Sequence, residues 1–129
     1  MMEMLFHVFL SLMGLGALIG LLYFLLWAAL HRLLPPKLDP ILFREPWFKK
    51  SELVNYQFFP LSLIRSLNYS YLIAWPRMAK HRRFKGFDRN LPVSAGIIVL
   101  CRVHMSVAFL GALVAFFYFA IALYSLLLL

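Results

Sequence analysis

The stretch LFHVFLSLMGLGALIGLLYFLLWAAL, residues 5–30, contains no Asp, Glu, Lys or Arg. At 1.5 Å of rise per helical residue, about 20 apolar residues cross the roughly 30 Å hydrocarbon core of a bilayer, so this run is long enough to span one. A second run, MSVAFLGALVAFFYFAIALYSLLLL at 105–129, is also uncharged. Both are predicted to be helical, because a backbone polar group left unpaired in lipid costs several kcal/mol. With 64% hydrophobic residues and a mean hydropathy of +0.83, the composition excludes a water-soluble globular domain.

The first run does not read as a cleaved signal. A signal carries a basic n-region and a short apolar core, whereas Met1–Leu5 holds Glu3 and no cation, and positive charge follows at His31 and Arg32. All 13 Lys and Arg residues lie between Arg32 and Arg102. Residues 32–92 hold twelve basic and four acidic residues, a net +8. Lys and Arg near helix ends resist translocation, so the middle is expected in the cytoplasm and both termini outside, which for a bacterial inner membrane is the periplasm.

The expected fold is therefore an all-α membrane protein, two transmembrane helices in a hairpin with a basic cytoplasmic helical segment between them. Helix 1 is placed at 4–34, the basic amphipathic cytoplasmic or interfacial segment at 35–92, and a long helix containing the second span at 93–129. Gly16 and Gly20 on the first span, and Ala108, Gly111, Ala112 and Ala115 on the second, form stripes of small residues that allow close backbone approach. Arg32 and Arg102 are expected at the cytoplasmic interface, and Pro92–Cys101 is expected to project beyond it as an apolar stalk.

Within the middle, Pro35-Pro36 is expected to end the first helix, with Asp39-Pro40 opening a short one. Trp47-Phe48-Lys49-Lys50 reads as a headgroup-level anchor or, equally, as aromatic contacts to the protein's own core. Residues 61–75 form an amphipathic helix with Leu61, Ile64, Leu67, Tyr71 and Trp75 on one face. It could lie flat on the inner leaflet or pack over the stalk, the latter being expected because the stalk would otherwise expose Val93, Ile97, Ile98 and Leu100. The run Arg77, Lys80, His81, Arg82, Arg83, Lys85 and Arg89 is expected to serve as a stop to translocation or to bind anionic lipid or a protein partner. Nucleic acid is not an expected partner, since no RNA-binding signature accompanies these charges.

Catalytic chemistry finds no carrier. The chain lacks G-x-S-x-G, Walker, CxxC and H-E-x-x-H sequences and any pair of carboxylates in the apolar runs, so no enzyme is expected. His31 and His104 fall at similar depth on the two helices, which makes them the candidate pair for axial haem or metal ligation, although no cofactor is expected. Cys101 is expected to be a small buried hydrophobe. Neither span offers a continuous polar stripe for a pore.

The order of a spanning helix, Asp39-Pro40-Ile41-Leu42-Phe43, then Ile64-Arg65-Ser66-Leu67-Asn68-Tyr69-Ser70-Tyr71, a basic run and a second spanning helix resembles universal stress protein B, a small two-helix inner-membrane protein of Gram-negative bacteria. The chain differs in its longer aromatic-rich middle and in Pro76 and Pro92. The resemblance implies an inner-membrane location and a link to stationary phase, not a catalytic mechanism. The expected function is a non-enzymatic accessory or structural subunit of a membrane complex or homo-oligomer. The alternatives are a holin-like pore-forming oligomer and a haem-bearing electron-transfer subunit.

Overall fold

A computed structural model describes residues 1–128. Leu129, the last residue of the expected second span, lies outside the described residues. Six helices follow in order: α1 Met2–Leu33, α2 Pro35–Leu42, α3 Lys50–Asn55, α4 Ser62–Ala74, α5 Pro76–Lys80 and α6 Ala95–Leu128. There is no strand among the described residues. The helices α1 and α6 are both long and apolar enough to cross a membrane, and only 6% of the most apolar window of each is buried, unlike the core helix of a soluble protein. The chain divides into two compact units, Met1–Phe24 with the segment from Ser106 onward, and Leu25–Met105.

In the first unit the two helical segments run antiparallel. Phe9 packs on Tyr118 with ring centroids 4.4 Å apart. Farther along, a Cβ placed on Gly16 would meet Val114 Cγ1 at 3.8 Å, and one on Gly111 would meet Ile19 Cγ2 at 3.3 Å. Gly111 is therefore the tighter of these two contacts, where an added Cβ would force the Ile19 methyl to give by a few tenths of an ångström. Gly16, Gly20, Ala108, Gly111 and Ala115 line one open groove between the segments, whereas Ala112 is exposed elsewhere. Gly111→Leu is expected to destabilise the pairing by about 1–3 kcal/mol through overpacking. Gly20→Ala, with nothing within 4 Å of its added Cβ, should leave it unchanged. Disulfide formation between Phe9→Cys and Tyr118→Cys reads the difference, and equal yields in both backgrounds would rule out the close contact.

In the second unit α1 ends at Leu33, just before Pro35-Pro36 as expected, and after a bend at Leu34 α2 starts at Pro35. Leu34 N–H still donates to Leu30 O at 2.8 Å, and Leu38 N–H to Leu34 O at 2.9 Å, so helical bonding runs up to the prolines and resumes at once. The two prolines occupy the first turn of α2, where their missing N–H groups would have no helical partner in a new helix. Asp39-Pro40 is consequently inside α2 and does not cap its start. The continuity rests on a stripe at four-residue spacing, Leu30, Leu34, Leu38 and Leu42, all fully buried.

The core of this unit centres on Phe48, which is also fully buried. Phe43, Tyr56, Tyr69 and Phe84 present edges or faces to it at centroid distances of 5.3, 6.1, 6.1 and 6.3 Å. Such T-shaped pairs add about 0.5–1.5 kcal/mol each beyond area burial. Gly86 takes a positive φ of 78°, a turn that a side chain would strain, and lets Phe84 and Phe87 both enter this core. The expected stalk Pro92–Cys101 is covered in part: Ile97 and Cys101 are buried, as are His104 and Met105 farther along α6, whereas Val99 is exposed. Helix α6 begins at Ala95, two residues later than expected, because Leu91–Ser94 remains irregular after Pro92.

Candidate functional site

Helix α4 has no exposed residue, and it buries its serine-bearing side as well as part of the apolar face expected from its sequence. Its buried positions include Ser62, Ser66, Tyr69, Ser70 and Ile73, while Leu61 and Trp75, beyond its ends, are exposed and Ile64, Leu67 and Tyr71 are half-buried. Three serine hydroxyls are thus buried beside Tyr69, Leu72, Ile73 and Ala74, while Leu67 and Tyr71 pack against the same core. The reason lies in the partners. Ser66 Oγ hydrogen-bonds His31 Nδ1 at 2.5 Å, and Ser70 Oγ hydrogen-bonds His104 Nδ1 at 3.2 Å. The thiol of Cys101, three residues before His104 on α6, also meets Ser70. One turn from Ser66, the Trp27 indole N–H donates to Leu63 O at 3.0 Å. Two serines four residues apart on one helix therefore engage imidazoles from α1 and α6, satisfying polar groups whose burial alone would cost about 1–3 kcal/mol each.

A second polar cluster borders this seam. Tyr69 O–H donates to Asp39 Oδ1 at 2.7 Å, and Arg65 Nη1 lies 3.4 Å from Asp39 Oδ2. The Arg65 guanidinium stacks over Phe43 at 4.6 Å, with only 13% of its side chain exposed. Burial, then the Asp39 carboxylate, raises the Tyr69 phenol above its ordinary pKa, so it remains the donor. The one charged side chain of α4 is thereby drawn toward Asp39 in α2.

The third cluster gives one member of the basic run a partner within the chain. Arg83 makes a bidentate pair with Glu52, both N–H···O bonds at 2.9 Å, and reaches Trp47 O at 3.3 Å. Its guanidinium also lies 4.9 Å from the Phe48 ring centroid. Arg83 is accordingly tied to Glu52 and Trp47 within the unit, unlike its exposed neighbour Arg82. Glu52 accepts a further bond from Lys49 N–H at 3.0 Å, closing the first turn of α3. The Arg83 bonds, outweighing partial burial, hold the Glu52 carboxyl at about 2, well below its ordinary 4.5.

Because the unfolded chain takes up this proton first as pH falls, the stabilisation is complete above about pH 4.5 and is lost by about pH 2. At most about 3 kcal/mol is involved, less solvent screening. Acid titration of wild type against Glu52→Gln should show a difference in stability that closes across that window. A difference independent of pH there would contradict the pairing.

The remaining expected site residues divide cleanly. Trp47 is half-buried and packs on Phe84 and Phe87 at 6.3 and 5.5 Å, and with Phe48 it belongs to the protein's own core, which corrects the headgroup-anchor alternative. Lys49, Lys50, Arg77, Lys80, Arg82, Lys85 and Arg89 are exposed, as are Arg32 and Arg102. Lys80 and Arg89 border a crevice floored by Leu72, Ile73, Phe87 and Ile98. The structure brings His31 and His104 each to a serine of α4, and among the described residues no group of three or more His, Cys, Asp and Glu could hold a metal ion.

Sequence reasoning missed the inward serines, the Asp39–Tyr69–Arg65 cluster and the Arg83–Glu52 pair. The regular spacing of Ser62, Ser66 and Ser70 is the signal that could have found the first. The chain matches no known family model, no curated protein and no solved structure.

Proposed function

We propose that this chain is a small non-enzymatic membrane protein that acts as an accessory or structural subunit, either of a larger membrane complex or of its own oligomer. The observation that carries this reading is the open groove of Gly16, Gly20, Ala108, Gly111 and Ala115 between two apolar helices. Lipid tails are as apolar as leucine, so helices in a bilayer associate through close packing at small residues, and such a groove suits another helix. Among the exposed charged side chains cations outnumber the acids Glu3, Glu45 and Asp88, which fits binding to an anionic surface.

In this reading α1 and α6 form a transmembrane hairpin in a bacterial inner membrane, with the termini in the periplasm and the basic middle in the cytoplasm. The charge distribution supports that orientation, and the antiparallel pairing of the first unit is compatible with it. Arg77, Lys80, Arg82, Lys85 and Arg89 then face an anionic leaflet or an acidic partner, each contributing about 1 kcal/mol near anionic headgroups. The resemblance to universal stress protein B supports a stress-related role.

Purification in native nanodiscs followed by mass spectrometry tests the proposal. A defined oligomer or a stoichiometric partner is expected, reduced by Gly16→Leu with Gly20→Leu. A lone monomer in every lipid composition would defeat it. A reporter fused after Leu129 should be active only outside the cytoplasm, and the opposite result would reverse the topology.

A further inference from the structure

Between α4, α5 and the irregular residues 87–94 that lead into α6, the second unit leaves a crevice of about 320 Å³. Its floor is apolar, built from Leu72 and Ile73 of α4 with Phe87 and the half-buried Ile98. Its rim carries Lys80, Arg89 and Asn90, all exposed. Among the described residues no Asp or Glu lines it. An apolar floor beneath two cations matches a ligand that is itself part apolar and part anionic.

We propose that this crevice binds one anionic phospholipid, with the phosphate between Lys80 and Arg89 and the start of one acyl chain over Phe87 and Ile98. The proposal rests on the membrane reading of α1 and α6, and it narrows the partner of the basic run to a lipid seated at one place. Three observations select that occupant.

First, the two cations are unclaimed. The ion pairs among the described residues are Arg65 with Asp39 and Arg83 with Glu52, so neither Lys80 nor Arg89 is neutralised by a carboxylate of its own chain. Arg89 also borders a neighbouring crevice that Glu45 and Asp88 line, yet it pairs with neither. Arg83, which Glu52 does hold, is not part of the rim. A guanidinium and an ammonium left open in this way suit a phosphate.

Second, the depth is right. Helix α6 is continuous from Ala95, and Ile98 precedes Arg102 by four residues, about 6 Å. In the membrane reading Arg102 marks the interface, and headgroups occupy about 5–8 Å on each face of the hydrocarbon. The crevice floor therefore lies among headgroups. Third, the size fits part of a lipid. Ligand sites run from about 300 to 1,000 Å³, so this one is at the small end. It takes a headgroup and the first part of one chain, and the rest of the molecule stays in the leaflet. A purely acidic protein segment would leave the apolar floor unused.

Native mass spectrometry of the full chain, released from nanodiscs of equal phosphatidylglycerol and phosphatidylcholine, tests this. One phosphatidylglycerol per chain is expected to be retained, several-fold in excess over phosphatidylcholine. Lys80→Gln with Arg89→Gln should lower that retention several-fold. Leu91→Trp, which fills the crevice from its irregular wall and leaves every charge in place, should lower it as well. Lys37→Gln with Lys50→Gln removes the same charge from exposed sites elsewhere in the unit and should leave retention unchanged. All four charge sites are exposed, so these substitutions spare the core. Equal losses from the two charge pairs would mean a diffuse cationic surface and would overturn the site, although the spans stand. Equal retention of both lipids, or retention indifferent to Leu91→Trp, would overturn it too. An acidic protein retained in place of lipid would give the crevice to that partner and defeat the proposal. If the chain never enters nanodiscs, the membrane reading itself fails and the site with it.

Discussion

Phe48→Ala is expected to lower the stability of the Leu25–Met105 unit by about 3–5 kcal/mol, the range for truncating a fully buried phenylalanine. The size of the effect follows from its position. Four aromatic rings and one guanidinium converge on this side chain, and they come from α2's exit, α3's exit, α4 and the basic run. None of these rings can move into the void without giving up another contact. Thermal unfolding in nanodiscs, followed by near-ultraviolet circular dichroism, measures the change. A loss below about 1 kcal/mol would mean that the rings do not form a packed core.

Arg83→Ala is the second large expected loss, about 2–4 kcal/mol, because it leaves Glu52 with its carboxylate half of a bidentate pair and strips the cation from Phe48. Both side chains are partly shielded, at 29% and 16% exposure, so the pair exceeds an ordinary surface salt bridge. Its neighbour Arg82 is exposed, and Arg82→Ala should change stability by no more than about 0.5 kcal/mol. A double-mutant cycle with Glu52→Gln isolates the interaction, and additive losses would show that the two residues do not couple. Equal effects at Arg82 and Arg83 would likewise count against the assigned roles.

That contrast marks the boundary of what could be read from the sequence. Two long apolar helices were legible, because span length and absence of charge depend on local composition alone. The glycine stripe was legible in part. Gly111 and Gly16 make close contacts, whereas Ala112 does not reach the groove, since small-residue spacing names a face without fixing which residue meets a neighbour.

Arg82 and Arg83 are indistinguishable in a basic run. Only the fold brings Glu52 beside one of them, 31 residues away in sequence. Trp47 and Phe48 were open to two readings because aromatic residues suit an interface and a core alike, and here Phe84 and Phe87 draw them inward.

Helix α4 was legible only in part. An apolar stripe is normally assigned to the interior, and of Leu61, Ile64, Leu67, Tyr71 and Trp75 the members Leu67 and Tyr71 do pack against the core, whereas Leu61 and Trp75 fall beyond the helix ends and are exposed. The buried imidazoles of α1 and α6 add hydrogen bonds that enclose the serine-bearing side as well, which an apolar stripe alone does not announce. Asp39 shows the same limit on a smaller scale. Read locally it is a helix cap, but Tyr69 and Arg65 claim its two oxygens from α4.

The Pro35-Pro36 bend has a mechanical consequence. A proline pair between two helices is commonly the softest joint in a chain, the place where one segment swings against the next. Here the amides of Leu34 and Leu38, on either side of the pair, are both engaged, and four leucines clamp the bend from within. The elbow is stiff. Amide exchange at Leu34 and Leu38 should be as slow as in the middle of an unbroken helix, and the angle set there travels with the second unit as a fixed bracket.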